Sequence, residues 1–430
     1  MLQSASRDET PTDAETEDEL RATSPERHRA SSVPWRSSLL ADLWAWLTAL
    51  VAYALVTYLA WIPFYKVESK AGPRPGSFTE VLNLWQRWDT NWYTIIATRG
   101  YEYDIERTTA FYPLYPATIR FANFLLPGGA LVAGLVVSGL CAYAALVLLH
   151  RLALDVLGGD GAAASRTIFY ILAFPAGFFL LAAYNESMFI ALAVASLYCM
   201  RHRSWWAAGA LAALASATRS TGVLLAFAFA YEYLRQLGVL GHSRRILLSR
   251  LRQLRWDAAA VLLIPTGIVA YAAYCWQKFN DPLLFLSAQD NWYRSERVPP
   301  WETLAKAGAI ILREDSIFSH DAVHGVLNLT AALGTMAVLV LALVGPWKLG
   351  KENVYLVVYG FLSALVPLIV PLQTNYPLGS MLRFVIEYVP VFLVLAKMGR
   401  NGNFDRLFVI TAVSVQSVLL VAFLHNQFVA

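Results

Sequence analysis

The sequence predicts an all-α, polytopic membrane protein with about eleven transmembrane helices. Three observations carry this. Of its 430 residues, 57% are hydrophobic, and the mean hydropathy is +0.47. Only 15% are charged, where roughly 25% is usual for a soluble chain. Apolar runs of spanning length then recur from residue 39 to residue 424. Charge is scarcer in the body than the average implies, because the first 36 residues hold 5 arginines and 8 acids. The remainder carries 29 basic and 22 acidic side chains, a net +7. This composition argues against a soluble enzyme, a disordered protein and a disulfide scaffold. Cys141, Cys199 and Cys275 sit singly inside apolar runs, without CxxC spacing, and read as small buried hydrophobes.

Residues 1–38 are polar and acidic, then rich in Ser, Arg and Pro. They read as a disordered cytoplasmic tail. No small-residue cleavage site follows the first apolar run, so no signal peptide is expected. From 39 to 430 the chain reads as one transmembrane domain. Its apolar runs lie near 39–62, 130–150, 167–184, 187–200, 205–218, 220–236, 256–276, 325–345, 353–371, 381–397 and 406–424. The run 109–126 is interrupted by Pro113 and Pro116 and reads as either a further span or a re-entrant segment.

Charge tests this division. With the N-terminus inside and sides alternating, the inner turns gather 15 basic residues, six of them between Arg235 and Arg255. The two long outer loops, 63–108 and 277–324, together hold 11 basic and 13 acidic residues. That asymmetry is what the positive-inside rule requires. The basic inner loop 235–255 reads as a topology anchor near anionic lipid headgroups, not as a nucleic-acid site. In the first outer loop, residues 79–99 place Val81, Leu84, Trp85, Trp88, Trp92, Ile95 and Ile96 at helical spacing. This predicts an amphipathic helix at the membrane surface, with a shorter counterpart near 282–297.

The informative charges are those in places a membrane protein normally avoids, and the topology puts them all on the outer side. Asp89 lies among aromatics in Trp88-Asp89-Thr90-Asn91-Trp92-Tyr93. It reads as a general base beside aromatic faces suited to sugar or lipid, or as a surface acid paired with Arg87. Glu186, in a tight turn between apolar runs, reads as a polar-ligand contact or a first-turn acid favoured by the helix dipole. Arg219 stands between two apolar segments, where an unpaired cation is costly. It needs an anion, which Asp89, Glu186 or a ligand phosphate could supply. Arg383 and Glu387 are spaced to pair with each other on one helix face. Gln289, Asp290, Trp292 and Arg294 furnish the second outer loop, and Arg294 suits bidentate grip of a phosphate. His320 and His324 lack a third ligand and a metalloprotease context, so no metal site is expected. There is no P-loop and no GxSxG elbow.

At these residues the sequence resembles the PIG-V-type mannosyltransferases, the family of the second GPI mannosyltransferase and its bacterial relatives. The matching segments are WQRWDTNWYTIIATRGYEY, TAFYPLYPATIR, FPAGFFLLAAYNESMF, ATRSTG, AQDNWYR and PLGSMLRFVIEYVP, in order over residues 85–390. The resemblance implies a GT-C glycosyltransferase fold. It implies a sugar donor that is a polyprenyl-phosphate mannose, and an acidic catalytic residue in the first outer loop, the position of Asp89. Trp88, Tyr93, Glu186, Arg219, Gln289, Arg294 and Arg383 fall in matched segments as candidate donor-phosphate or substrate contacts. No cofactor is expected, since the leaving group is already a stable lipid phosphate. The expected partners are that donor, a lipid, glycan or protein acceptor, and membrane lipids. The loops are compact and no ER-retention signal is visible. A bacterial cytoplasmic membrane is therefore expected (the ER membrane in a eukaryote), with an extracytoplasmic active site. Two other readings stay open: an enzyme of the same fold using another lipid-phosphate sugar, and a glycolipid or lipid transporter.

Overall fold

A computed structural model describes residues 35–61, 76–239, 254–294 and 296–429. Among the described residues the regular structure is helical and contains no strand. The expected disordered tail lies outside the described residues up to position 34. So do the start of the first outer loop, over 62–75, and most of the basic inner loop, over 240–253.

The helices that matter below are α1 (Trp35–Leu59), α2 (Phe78–Asn83), α3 (Asp89–Arg99), α4 (Leu114–Leu125) and α5 (Gly129–Val156). They continue with α6 (Gly161–Ala173), α7 (Glu186–Arg201), α8 (Trp205–Ser216), α9 (Leu225–Gln236) and α10 (Thr266–Phe279). The rest are α11 (Pro300–Arg313), α12 (His320–Leu343), α13 (Val354–Ile369), α14 (Val389–Met398) and α15 (Gly402–Leu424). Among the described residues, five helical stretches are long and apolar enough to cross a membrane: Ser38–Leu59, α5, α12, Lys351–Ile369 and α15. A sixth forms if Trp256–Leu263 and α10, bent by 43°, count as one span. The chain is an integral membrane protein.

Each of the eleven apolar runs contains helix, yet several of these helices are short. α8 and α9 have 12 residues each, about 18 Å at the helical rise against the ~30 Å of a hydrocarbon core. The rest of such a run is irregular backbone held inside the protein. The run 167–184 shows how. α6 ends before Phe174-Pro175, because a residue preceding proline is pushed out of the helical region. The chain then makes one 3₁₀ turn, Gly177–Leu180, and reaches α7 through buried Leu181, Ala182, Ala183 and Tyr184. Freed carbonyls at this depth need donors, and side chains supply them. Gln416 Nε2 donates to Leu172 O (2.8 Å) and Phe174 O (2.6 Å). Thr90 Oγ1 donates to Ala183 O (3.3 Å), Ser138 Oγ to Tyr184 O (3.0 Å), and the Ser187 hydroxyl to Leu180 O. A Cβ at Gly177 would collide with the Leu172 carbonyl, so this turn requires glycine.

The turns assigned to opposite sides segregate to separate polar clusters. Arg201 reaches Asn353 (2.6 Å) and the Asp155 carbonyl (3.0 Å), and Arg400 reaches Asp160 (2.8 Å). All five residues come from turns expected inside. The turns expected outside meet around Asp89, Asn185, Arg219 and Arg383. The run 109–126 forms α4, a 12-residue helix with Pro113 at its N-cap. At about 18 Å it is shorter than a span, and its Phe121 and Phe124 are exposed.

The first outer loop differs from the single amphipathic helix expected over 79–99. The chain breaks between α2 and α3, and Trp88 takes φ +48°, which a bulky residue rarely adopts. In one continuous helix Trp85 and Asp89 would share a face. The break instead buries Trp85 against Phe423, ring centroids 6.1 Å apart, and turns Asp89 to a different neighbour.

Candidate active site

Asp89 is the first residue of α3, where a carboxylate is favoured by the exposed helix N–H groups. Its Oδ2 accepts from Arg383 Nη1 at 2.8 Å. Glu186 opens α7 in the same way. Its Oε1 lies 3.0 Å from Arg219 Nη1 and 3.3 Å from Arg383 Nε. Arg219 Nη1 also sits 2.8 Å from Glu387 Oε1 and donates to Asn185 Oδ1 (3.3 Å). The result is a chain of charges, Asp89–Arg383–Glu186–Arg219–Glu387, with two cations among three carboxylates.

Backbone geometry brings these residues together. Arg219 stands in the turn between α8 and the 3₁₀ turn Ser220–Leu224. That turn is pinned by Asn185 Nδ2 on Thr218 O (2.9 Å) and by Leu114 N–H on Ala217 O (3.1 Å). A Cβ at Gly222 would fall within 2.5 Å of the Ser216 backbone nitrogen, so only glycine closes this turn. Arg383 lies in a single helical turn, Met381–Phe384, entered through Ser380 at φ +71°. The next residues, Val385–Glu387, tighten into a 3₁₀ turn.

Exposure separates the carboxylates. The Asp89 side chain keeps 24% of its accessible surface, against 1% for Glu186 and 3% for Glu387. Only Asp89 is open to a reacting molecule. It lines a cavity of about 470 Å³ together with Trp88, Tyr93, Arg219, Gln289, Arg294 and Arg383. Seven of the eight residues singled out in the sequence therefore share one wall, and the eighth, Glu186, lies directly behind it. Burial, with the nearby Asp89 charge, pushes the Tyr93 hydroxyl well above its ordinary pKa. Tyr93 is therefore a neutral wall rather than a base. Its ring packs edge-on against Phe111 (5.1 Å) and Tyr115 (4.8 Å).

The second outer loop closes over the first. Gln289 Nε2 donates to Ala110 O (3.3 Å), Asn291 Nδ2 to Glu106 O (3.0 Å) and Trp292 Nε1 to Arg107 O (3.2 Å). The Trp292 ring meets Trp92 and Phe111 edge-on at 5.5 and 5.4 Å. Arg294 donates to Val370 O (3.0 Å) and lies near the Phe384 ring, 5.9 Å from its centroid. Unlike Arg219 and Arg383, it forms no salt bridge among the described residues. Burial and the two neighbouring arginines lower its pKa to about 10.

Two pairings open in the sequence do not form. Arg87 turns away from Asp89 and donates from Nε to Leu424 O (3.2 Å). Arg383 and Glu387 do not bridge each other, because the switch to 3₁₀ geometry rotates Glu387 off the Arg383 face and onto Arg219. Sequence reading also missed Tyr376 and Phe428, which line the cavity beside Trp88. Trp88 Nε1 donates to Gln427 O (3.2 Å), and its ring meets Phe428 edge-on at 5.4 Å. No local pattern marks these two; they arrive through tertiary packing.

Comparison with known proteins finds relatives for part of the chain. Residues 76–286 match the family described as mannosyltransferase (PIG-V). The mouse protein named GPI alpha-1,6-mannosyltransferase 2 is 29% identical over 246 residues, covering 50% of this chain and 47% of the mouse protein. The Aspergillus fumigatus protein named GPI mannosyltransferase 2 is 24% identical over 331 residues, covering 66% and 70%. The chain spans about half the length of the mammalian curated relatives it matches. Among solved structures, ArnT from Cupriavidus metallidurans bound to undecaprenyl phosphate aligns with a TM-score of 0.48 at 13% identity. The alignment covers 88% of this chain and 76% of that one, a likeness too loose to build on. The matched stretch supplies Asp89, Glu186 and Arg219, and over it the chain resembles the mannosyltransferase (PIG-V) family.

Proposed function

We propose that this protein is a membrane glycosyltransferase of the GT-C type. It moves mannose from a polyprenyl-phosphate-mannose donor to an acceptor hydroxyl at the extracytoplasmic face. The observation that carries the reading is the arrangement around Asp89: the most open carboxylate of the charge chain, fixed by Arg383 at 2.8 Å, facing a cavity that Arg294 enters without a salt bridge among the described residues. The family match over residues 76–286 supports the sugar.

The step is a single displacement. The acceptor O–H gives its proton to the Asp89 carboxylate as its oxygen bonds the anomeric carbon. The bond from that carbon to the phosphate oxygen breaks, and its electron pair leaves with the lipid phosphate. Configuration inverts, so a β-linked donor yields an α-linked mannoside. Arginine guanidinium groups stabilise charge growing on the departing phosphate, which makes the step independent of a metal or cofactor. The acceptor hydroxyl belongs to a lipid, glycan or protein. The N-terminus is cytoplasmic, and the membrane is the bacterial cytoplasmic membrane. The basic inner turns and acidic outer loops support that orientation.

Asp89→Asn tests this. It keeps the shape of the side chain and an acceptor for Arg383 while removing the base. Loss of a general base costs roughly 10²–10⁴-fold in rate. Mannosyl transfer in membranes supplied with lipid-linked donor is expected to fall by that factor at unchanged expression. Wild-type transfer by the variant would end the assignment of Asp89. Donor translocation by the wild-type protein in proteoliposomes, without a new glycosidic bond, would end the glycosyltransferase reading itself.

A further inference from the structure

The bent pair Trp256–Leu263 and α10 breaks at Ile264 and Pro265, where proline offers no N–H to continue a helix. Ser216 Oγ of α8 donates to the Ile264 carbonyl in the break, at 2.7 Å. A Cβ at Gly267 would strike the Ala213 carbonyl, so α8 and α10 cross here at backbone contact. A groove of about 580 Å³ opens at this bend, walled by α4, α8, α10 and the Gly100–Tyr101 turn. It shares no lining residue with the Asp89 cavity.

The groove lining holds one charged residue, Arg120 of α4, and no carboxylate. Arg120 is exposed and makes no salt bridge among the described residues. The acids of the adjoining loop are occupied: Glu102 lies 2.7 Å from Lys278, and Asp104 3.8 Å from Arg107. Beside Arg120, Phe121 and Phe124 are exposed, as on a helix whose apolar side meets lipid. In an integral membrane protein, an apolar groove with one unpaired cation fits a hydrocarbon chain that carries an anionic head. The volume falls within the ~300–1,000 Å³ of small-ligand sites. That suits a lipid chain better than a partner helix, which is about 10 Å across.

We propose that this groove binds an anionic phospholipid of the surrounding bilayer, with its chain against α8 and α10 and its phosphate on Arg120, and that the bound lipid braces the turn carrying Arg219. The brace follows from what the groove touches. Leu114 and Ala217 both line it, and the Leu114 N–H on Ala217 O (3.1 Å) is one of the bonds that pin the Arg219 turn. Hydrocarbon packed over that bond excludes water, and a hydrogen bond is stronger where water is excluded. Tyr271 makes a second link. It lines the groove, donates to Thr109 O at 2.8 Å, and meets the ring of Tyr112 at 5.6 Å. Tyr112 lines the Asp89 cavity, so an aromatic layer separates the lipid from Asp89. The lipid is a support and not a reactant.

Native mass spectrometry of the full chain in detergent, titrated with phosphatidylglycerol or with diacylglycerol of the same chains, tests the groove. Arg120→Gln changes an exposed side chain, so the fold is not at risk. It is expected to weaken phosphatidylglycerol about tenfold, the size of one charge-assisted hydrogen bond, and to leave diacylglycerol within about twofold. Ala270→Phe fills the groove from an exposed position on α10 and is expected to weaken both lipids. Wild-type phosphatidylglycerol binding by either variant overturns the lipid assignment. A second polypeptide that copurifies with the wild type and is lost in Ala270→Phe makes the groove a protein interface and overturns it too. Hydrogen exchange at the Leu114 amide reads the brace. Phosphatidylglycerol is expected to slow this exchange in the wild type and not in Arg120→Gln, and exchange indifferent to the lipid overturns the brace. Added phosphatidylglycerol is also expected to raise mannosyl transfer by the wild type more than by Arg120→Gln. Only this last readout rests on the glycosyl-transfer reading. If lipid binding and exchange behave as expected while no transfer occurs, the groove stands and that reading falls.

Discussion

Replacing Arg219 with methionine removes the cation that joins two enclosed carboxylates. Its Nη1 lies 3.0 Å from Glu186 and 2.8 Å from Glu387, whose side chains are 1% and 3% exposed. Without it, Glu186 keeps Arg383 Nε at 3.3 Å, whereas Glu387 loses its ion-pair partner. Stranding one member of a buried pair costs ~3–5 kcal/mol, a large part of the ~5–15 kcal/mol that usually separates folded from unfolded states. Replacing both members with apolar groups is commonly near neutral. Arg219→Met is therefore expected to lower the thermal midpoint of the detergent-solubilised protein sharply, and Arg219→Met/Glu387→Leu to recover most of the loss. Intrinsic fluorescence of the 14 tryptophans reports both. Transfer activity is expected to stay lost in the double variant, because the wall of the Asp89 cavity has lost a cation. A single variant as stable as wild type, or a double variant no better than the single, would refute the view that Arg219 neutralises Glu387. Full activity in the double variant would refute its role at the wall.

Three further outcomes are expected. Arg294 has a pKa shifted down to about 10, so it is cationic at neutral pH and loses its proton as pH rises through about 10. Farnesyl phosphate affinity is expected to fall over that interval in wild type and to be flat there in Arg294→Gln. Because the folded value lies below that of an unfolded chain, the half-buried Arg294 charge costs stability at neutral pH. Arg294→Gln is therefore expected to unfold no earlier than wild type while turning over more slowly; a clearly lower midpoint would contradict this. Chelation with EDTA is expected to leave transfer unchanged, and loss of activity restored by a divalent cation would contradict the arginine-only account of the leaving group.

Much of the architecture was legible in the sequence because it depends on properties that act locally. Apolar runs mark helices wherever they fall, and the basic turns expected inside mark the alternation that brings Asp89, Glu186, Arg219 and Arg383 to one cluster. That Arg219 needs an anion was also legible, since an isolated cation between apolar segments has no other resolution. Which anions it takes was not. The Arg383–Glu387 spacing presumes a continuous α-helix, and the chain abandons that helix at Val385. The break at Trp88 was hidden for the same reason: helical periodicity ran through it unbroken. Both departures are set by what lies across the fold. Phe423 receives Trp85, and Arg219 receives Glu387.

The seam between the two outer loops has an asymmetry with a consequence for variation. Gln289, Asn291 and Trp292 donate from side chains, while the 106–110 segment answers only with backbone carbonyls. A carbonyl is present whatever residue occupies the position. Substitutions at Glu106, Arg107 and Ala110 leave all three bonds available, whereas each change at Gln289, Asn291 or Trp292 removes one. Sequence drift on one bank of the seam is therefore silent and on the other is not. The roof over the cavity can hold its shape while the loop beneath it diversifies.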